Sequence, residues 1–139
     1  MNSKLLEDAK SFHGHLGPFI VLGLRIGLIG LHELNMSKHS DELKVIAYLN
    51  YKPPISCILD GLQITTGCTL GNKKLEFNES DEVLINFIVK GKNVLSIKVD
   101  NAMIDKLLKK PMKSIEEMEK LAYEVAKIPQ KELFNIAKH

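Results

Sequence analysis

Residues 18–35 read PFIVLGLRIGLIGLHELN, and the predicted architecture is organised around them. Pro18 suits the first turn of a helix, and the apolar residues after it predict a buried helix over this stretch. Gly23, Gly27 and Gly30 fall near one face of that helix, although interior glycine costs about 1 kcal/mol relative to alanine. Three glycines on one face predict very close packing, on a sheet or on a second subunit.

The same region is apolar enough to raise the question of a membrane span. Arg25 lies in the middle of Leu16–Leu34, and Pro18, His32 and Glu33 lie near its ends. A spanning helix needs about 20 apolar residues, and a charge at its centre costs at least about 2.5 kcal/mol. We therefore predict a buried helix and no membrane partner.

The flanking segments predict further helices and strands. An N-terminal helix is expected over Ser3–Ser11 with Ser3 as its N-cap, followed by a loop over Phe12–Pro18. The other predicted elements are a strand over Leu43–Tyr51, a helix from N-cap Ser56 to Gly67, strands over Leu75–Phe77, Glu82–Lys90 and Asn93–Val99, and C-terminal helices within 101–138. This order predicts one α+β domain over 1–139, with a mainly antiparallel sheet of about four strands packed with helices.

Composition narrows the functional classes. The chain has 139 residues, 19 Lys plus Arg and 17 Asp plus Glu, so the net charge of +2 gives no case for nucleic-acid binding. Two cysteines do not make a disulfide framework, and the N-terminus shows no signal-peptide pattern. We therefore expect a cytoplasmic protein.

Two histidines flank one glycine in His13-Gly14-His15. Imidazole is the commonest metal ligand and a natural acid or base near neutral pH. Gly14 gives the backbone the freedom to bring both rings to one point. In the alternative interpretation, one histidine caps the following helix and the other is exposed.

Cys57 lies at the predicted start of a helix, where backbone N–H groups and the helix dipole favour the thiolate. Both nucleophilic chemistry and metal ligation use a thiolate. Asp60 lies three residues on, over the same face, where it could hydrogen-bond a ligand or move a proton. The alternative is that Cys57 is a small buried hydrophobic residue and Asp60 helps to cap the helix.

Cys68 is a further candidate ligand. An unbroken helix would put it about 16 Å along the axis from Cys57, whereas two thiolates on one zinc each lie about 2.3 Å from the ion. Cys68 therefore joins Cys57 only if Gly67 turns the chain back or if this segment is not an unbroken helix. Otherwise Cys68 serves another site or one across a dimer interface. With His13 and His15, these cysteines offer ligands for zinc, iron, cobalt or nickel.

Three segments, in this order and spacing, resemble the FmdE family, which takes its name from the enzyme formylmethanofuran dehydrogenase. They read FHGHLGP at 12–18, CILDGLQ at 57–63 and TGCTLGN at 66–72. The resemblance covers residues 12–99, and the C-terminal helices are predicted from pattern alone.

The resemblance implies an α+β homodimer with a pocket between the His-Gly-His loop and the Cys57 helix. It implies a transition metal as cofactor, with zinc ahead of iron, cobalt or nickel. We expect His13, His15 and Cys57 as metal ligands, and Cys57 and Asp60 as the groups that would act in any catalysis. Expected partners are a small-molecule substrate or a larger molybdenum or tungsten enzyme.

The chain departs from the family pattern at three places. No cysteine follows Cys68, so the C-terminal zinc ribbon of longer members is missing. Gly17 stands where many members have cysteine, and Ser80-Asp81-Glu82 replaces the usual Gly-Lys before the second long strand. These departures indicate a stand-alone short form.

Three functions remain open from the sequence. The first is a metal-binding protein, either a small metalloenzyme or an accessory to a molybdenum or tungsten enzyme. The second is a metal-free thiol protein in which Cys57 is a nucleophile or sulfur carrier and a histidine its base. The third is a non-catalytic interaction subunit.

Overall fold

The computed structural model describes residues 1–139 and confirms an α+β fold. The chain forms six helices and five strands, and a 3₁₀ turn over Ile55–Cys57 precedes the third helix. The helices are α1 (Ser3–His13), α2 (Pro18–Leu34), α3 (Ile58–Thr66), α4 (Asn101–Lys109), α5 (Ile115–Lys127) and α6 (Gln130–Leu133). The strands are β1 (Leu43–Leu49), β2 (Leu75–Glu79), β3 (Leu84–Val89), β4 (Lys92–Val99) and β5 (Phe134–Lys138).

The five strands form one sheet in the order β2-β1-β3-β4-β5. Three neighbouring pairs are antiparallel, whereas β1 and β2 run parallel because the 3₁₀ turn and α3 connect them. Lys90 and Gly91 both have positive φ in the tight β3–β4 turn, as two-residue hairpin loops require. The prediction of a mainly antiparallel sheet is therefore confirmed.

The C-terminus corrects two predictions. Helices were expected up to residue 138, but α6 has a single turn and Phe134–Lys138 pairs with β4. Phe134 is buried and Ile136 half-buried, whereas the residues between and after them are exposed, so this segment has the alternation of a strand. It covers the edge that β4 would otherwise present, and the sheet has five strands rather than four.

Helix α2 packs against α3, α5 and the sheet, with the close approach that its glycines predicted. Gly23 lies against the backbone of Ile58 and Gly61 in α3, and Gly30 lies against the Phe87 ring of β3. Along β1, buried and half-buried residues alternate, so that one face of the sheet turns toward α2. A sheet or a second subunit was expected against these glycines. In the structure, α3 and the sheet of the same chain pack against them.

Several helix ends differ in detail from the sequence prediction. Asn2 rather than Ser3 caps α1, since its side chain accepts hydrogen bonds from the N–H groups of residues 4 and 5. Ser56 does not cap α3, because it lies within the 3₁₀ turn. Gly67 ends α3 in the left-handed conformation, as predicted.

Arg25, the charge in the middle of α2, has partners at the end of α5. Its Nη1 donates to the carbonyl oxygens of Val125 and Ile128 at 2.9 and 2.5 Å. These oxygens belong to the last turn of α5 and the residue that follows it, where carbonyls lack partners within a helix. None of the helices combines the length and the apolar character that crossing a bilayer demands.

Candidate functional site

The two histidines meet because the chain reverses between them. His13 is the last residue of α1, and Gly14 then adopts φ of 97°, a conformation that side chains other than glycine rarely take. The N–H of Gly14 donates to the carbonyl of Lys10, which fixes this turn. The ring centroids of His13 and His15 consequently lie 4.7 Å apart, with their planes tilted by 51°.

Asp60 reaches His13 from the first turn of α3. Its Oδ2 lies 2.5 Å from His13 Nδ1, and its Oδ1 accepts from Gln63 Nε2 at 3.3 Å. A carboxylate beside Nδ1 favours the tautomer with the proton on that nitrogen. Nε2 of His13 is then the atom left to bind a ligand.

Cys57 is half-buried at the junction of the 3₁₀ turn and α3. Burial raises the pKa of its thiol, and the nearby Asp60 carboxylate raises it further. The expected stabilisation of the thiolate by the helix start is therefore wrong for the metal-free protein. The reason is that burial and a neighbouring negative charge both oppose ionisation.

His15 has the opposite shift. Burial lowers the pKa of its imidazole, and the neighbouring His13 lowers it further. Both causes disfavour the imidazolium form. His15 therefore presents a neutral ring, which is the form that binds metal ions.

His13, His15 and Cys57 all line one pocket of about 350 Å³. No lysine, arginine, aspartate or glutamate lines it. The rest of its wall is apolar or small and comes from the start of α2, the segment after β1 and the region that leads into α5. These residues are Gly17, Pro18, Phe19, Ile20, Pro53, Pro54, Met112 and Met118.

The three expected ligands share a pocket without forming a closed coordination site. Nowhere in the chain do three His, Cys, Asp or Glu side chains stand close enough together to hold a metal ion. A metal held by His13, His15 and Cys57 together therefore requires some of these side chains to change conformation.

Cys68 lies apart from this group. It is buried in the core, its Sγ donates to the carbonyl of Leu43 at 3.5 Å, and it does not line the pocket. Gly67 does turn the chain, but the turn leads toward β1 rather than back to Cys57. The structure thus brings together His13, His15, Cys57 and Asp60, and leaves Cys68 in the packing between α3 and the sheet.

Sequence reasoning missed the two methionines of the pocket. Met112 lies between α4 and α5, and Met118 lies in the first turns of α5, both half-buried. Each is more than 90 residues from the His-Gly-His loop along the chain. Helical periodicity shows that Met118 faces inward, but it does not show which pocket the residue meets.

Comparison with known proteins gives two matches. A "Probable S-adenosyl-L-methionine-binding protein" from Archaeoglobus fulgidus is 35% identical to this chain over 100 residues, which are 68% of this chain and 23% of that protein. The chain thus spans about a quarter of the length of that relative. The family described as "FmdE, Molybdenum formylmethanofuran dehydrogenase operon" matches residues 12–135, from the His-Gly-His loop into β5. The chain belongs to the FmdE family.

Proposed function

We propose that this chain is a metal-binding protein in which His13, His15 and Cys57 hold one transition metal, with zinc ahead of iron, cobalt and nickel. The observation that carries the proposal is the contact between His13 Nδ1 and Asp60, beside His15 and Cys57 in the same pocket. In metal sites a ligating histidine almost always gives its second nitrogen to a carboxylate, a carbonyl or water. His13 has such a partner and keeps Nε2 for the ion.

The donor set also fits the metal chemically. Two imidazoles and one thiol are typical ligands of zinc, and three protein ligands leave a position open for a substrate, as in catalytic zinc sites. A metal in this position would act as a Lewis acid on a small molecule bound beside it. Asp60 would orient His13 and relay to solvent the proton that Cys57 loses on binding the ion, so that its carboxylate stays ionised.

The test is elemental analysis of untagged, gel-filtered protein after zinc, iron, cobalt and nickel have each been offered. We expect about one metal per chain. Carefully prepared wild-type protein that takes up none of the four metals would refute the proposal.

The Asp60→Asn variant tests the supporting carboxylate. Asparagine keeps the size of the side chain but removes the charge that orients His13, so we expect zinc affinity to fall about 10- to 100-fold. Competition with a chromophoric chelator measures this change. Asp41→Asn is the matched control, because Asp41 is exposed and pairs only with Lys74. Equal zinc affinities in the two variants would show that Asp60 does not support metal binding.

The metal-free thiol protein is the alternative, and alkylation separates it from the proposal. Because the pKa of Cys57 is raised, little thiolate is present at pH 7.5, and a Cys68→Ala protein freed of metal should react with iodoacetamide more slowly than a cysteine peptide. The rate should keep rising above pH 9, and unfolding in urea should restore the rate of the peptide. A folded protein that reacts faster than the peptide at pH 7.5 would favour Cys57 as a nucleophile.

The family description bears on which proteins this chain would bind. This description names a molybdenum formylmethanofuran dehydrogenase operon, which supports an accessory or subunit role beside a larger molybdenum or tungsten enzyme. A homodimer stays a prediction that light scattering on the purified chain can check. Binding of S-adenosylmethionine is not part of the proposal, because that name describes a relative of which this chain covers only 23%.

A further inference from the structure

The lining of the pocket has two chemically distinct parts. His13, His15 and Cys57 supply the ligand-type atoms, whereas Phe19, Met112 and Met118 supply apolar surface. Charged residues make up 26% of the chain, yet none of them lines this pocket. The other large groove, about 580 Å³ at the ends of β4 and β5, is by contrast lined by Lys98, Asp100 and Lys131 among others.

We propose that the pocket binds a small, uncharged and largely apolar molecule whose single polar end meets His13, His15 and Cys57. The proposal rests on the proposed function for that polar end and adds the class of the ligand. A volume of about 350 Å³ lies near the lower limit of ordinary ligand sites. Neutral alcohols, aldehydes and thiols with a short hydrocarbon or aryl body fit this description.

The absence of charged side chains from the wall disfavours ligands with a charged body. A carboxylate or phosphate on the body of the ligand would leave water without gaining a cationic partner, and burying an unpaired charge is costly. Ligands that would have to bury a phosphate against this wall, such as nucleotides, are therefore disfavoured. A hydrocarbon body gains free energy there, because it removes the partly exposed apolar surfaces of Met112 and Met118 from water.

The two methionines determine the shape of the site. Their side chains are unbranched and adapt to irregular surfaces, and both come from the C-terminal half of the chain. The walls formed by Pro18, Pro53 and Pro54 are, in contrast, fixed by their rings. The prolines therefore limit the outline of the ligand body, whereas Met112 and Met118 accommodate bodies of different shape.

The test uses methionine residues labelled with ¹³C at the methyl group, and two probes that share a hydroxymethyl group. The probes are 4-methylbenzyl alcohol and 4-(hydroxymethyl)benzoate. We expect the alcohol to shift the methyl signals of Met112 and Met118 but not those of Met36 and Met103, which lie outside the pocket. In protein freed of metal, where no cation can pair with the carboxylate, the benzoate should bind at least about tenfold more weakly.

Two variants at one position sharpen the test. Met118→Leu keeps the wall apolar and should bind the alcohol within about threefold of the wild type, since leucine and methionine have similar volumes. Met118→Lys places a cation in the wall and should reverse the preference toward the benzoate. The methyl signal of Met112 reports binding in both variants.

The titrations are run on zinc-loaded protein and on chelator-treated protein. Selective shifts that persist without metal uptake would support the pocket while refuting the proposed metal site. Metal uptake without selective shifts, or equal affinity for the two probes, would overturn the ligand class and leave the metal site standing. Shifts at Met36 and Met103 as large as those at Met112 and Met118 would also overturn it.

Discussion

Gly61→Ala is expected to destabilise this protein by about 3 kcal/mol or more, which is a large part of the stability of an ordinary domain. A Cβ at Gly61 would lie 2.5 Å from the backbone nitrogen of Leu24 and 2.7 Å from the carbonyl carbon of Gly23. These are backbone atoms of α2, so they cannot rotate away as the end of a side chain can. The two helices would have to separate, and their separation would open the core on both sides.

Helix propensity makes the opposite prediction for the same substitution. Gly61 lies inside α3, where alanine is favoured over glycine by about 1 kcal/mol. The sign of the change in unfolding free energy therefore decides whether the close approach of α2 and α3 is real. Urea denaturation followed by circular dichroism measures it.

The matched control is Gly71→Ala in the exposed loop after α3. A Cβ there would meet nothing closer than Thr69 Oγ1 at 3.9 Å, and Gly71 has no positive φ. We expect a change within about 0.5 kcal/mol. A Gly61→Ala protein as stable as this control, or more stable, would contradict the packing described for α2.

The glycine face shows how far the sequence alone leads. Three glycines at helical spacing predicted a close neighbour, because such costly residues persist in a helix where bulk cannot be accommodated. The neighbour of Gly23 is α3, where Gly61 allows the close approach. Gly61 lies 38 residues after Gly23, so the periodicity of α2 gives no information about it. Periodicity describes the face of one helix, whereas the partner of that face is set by tertiary structure.

The C-terminal strand shows the opposite case, in which local signals misled. Pro129 and the polar residues after it favour a helix start, and one turn does form at Gln130–Leu133. Phe134–Lys138 then pairs with β4, a strand that ends 35 residues earlier. A five-residue strand is too short for its own alternation to outweigh the helix signals, and the unpaired edge of β4 cannot be seen from the C-terminal sequence.

The candidate site also combines features that the sequence predicted with features that it did not. The resemblance to the FmdE family implied a pocket between the His-Gly-His loop and Cys57, and helical spacing placed Asp60 over the same face as Cys57. In the structure these four residues lie together. The sequence did not predict that Asp60 contacts His13 rather than the thiol, nor that burial raises the pKa of Cys57. Residue type and spacing indicate candidate ligands, but the burial and the charge around them depend on contacts between distant segments.

Cys57→Ser and His15→Ala are each expected to weaken metal binding by about 100-fold or more, which corresponds to about 2.7 kcal/mol. Serine keeps the shape of Cys57 but removes the thiolate, and alanine removes one of the two imidazoles. Each change leaves two of the three proposed ligands. Two ligands bind an ion more weakly than three. Elemental analysis after gel filtration should find the metal of the wild type absent from both variants.

Two controls separate loss of a ligand from loss of the fold. Cys68→Ala removes the other cysteine, which is buried in the core, and His32→Ala removes an exposed histidine of α2. Neither residue lines the pocket, so both proteins should retain the metal. Added zinc should also raise the melting temperature of the wild type and of the two controls, because a ligand that binds only the folded state stabilises it. If Cys68→Ala lost the metal while Cys57→Ser kept it, the site would lie at the end of α3 beside β1, and the pocket at the His-Gly-His loop would have another role.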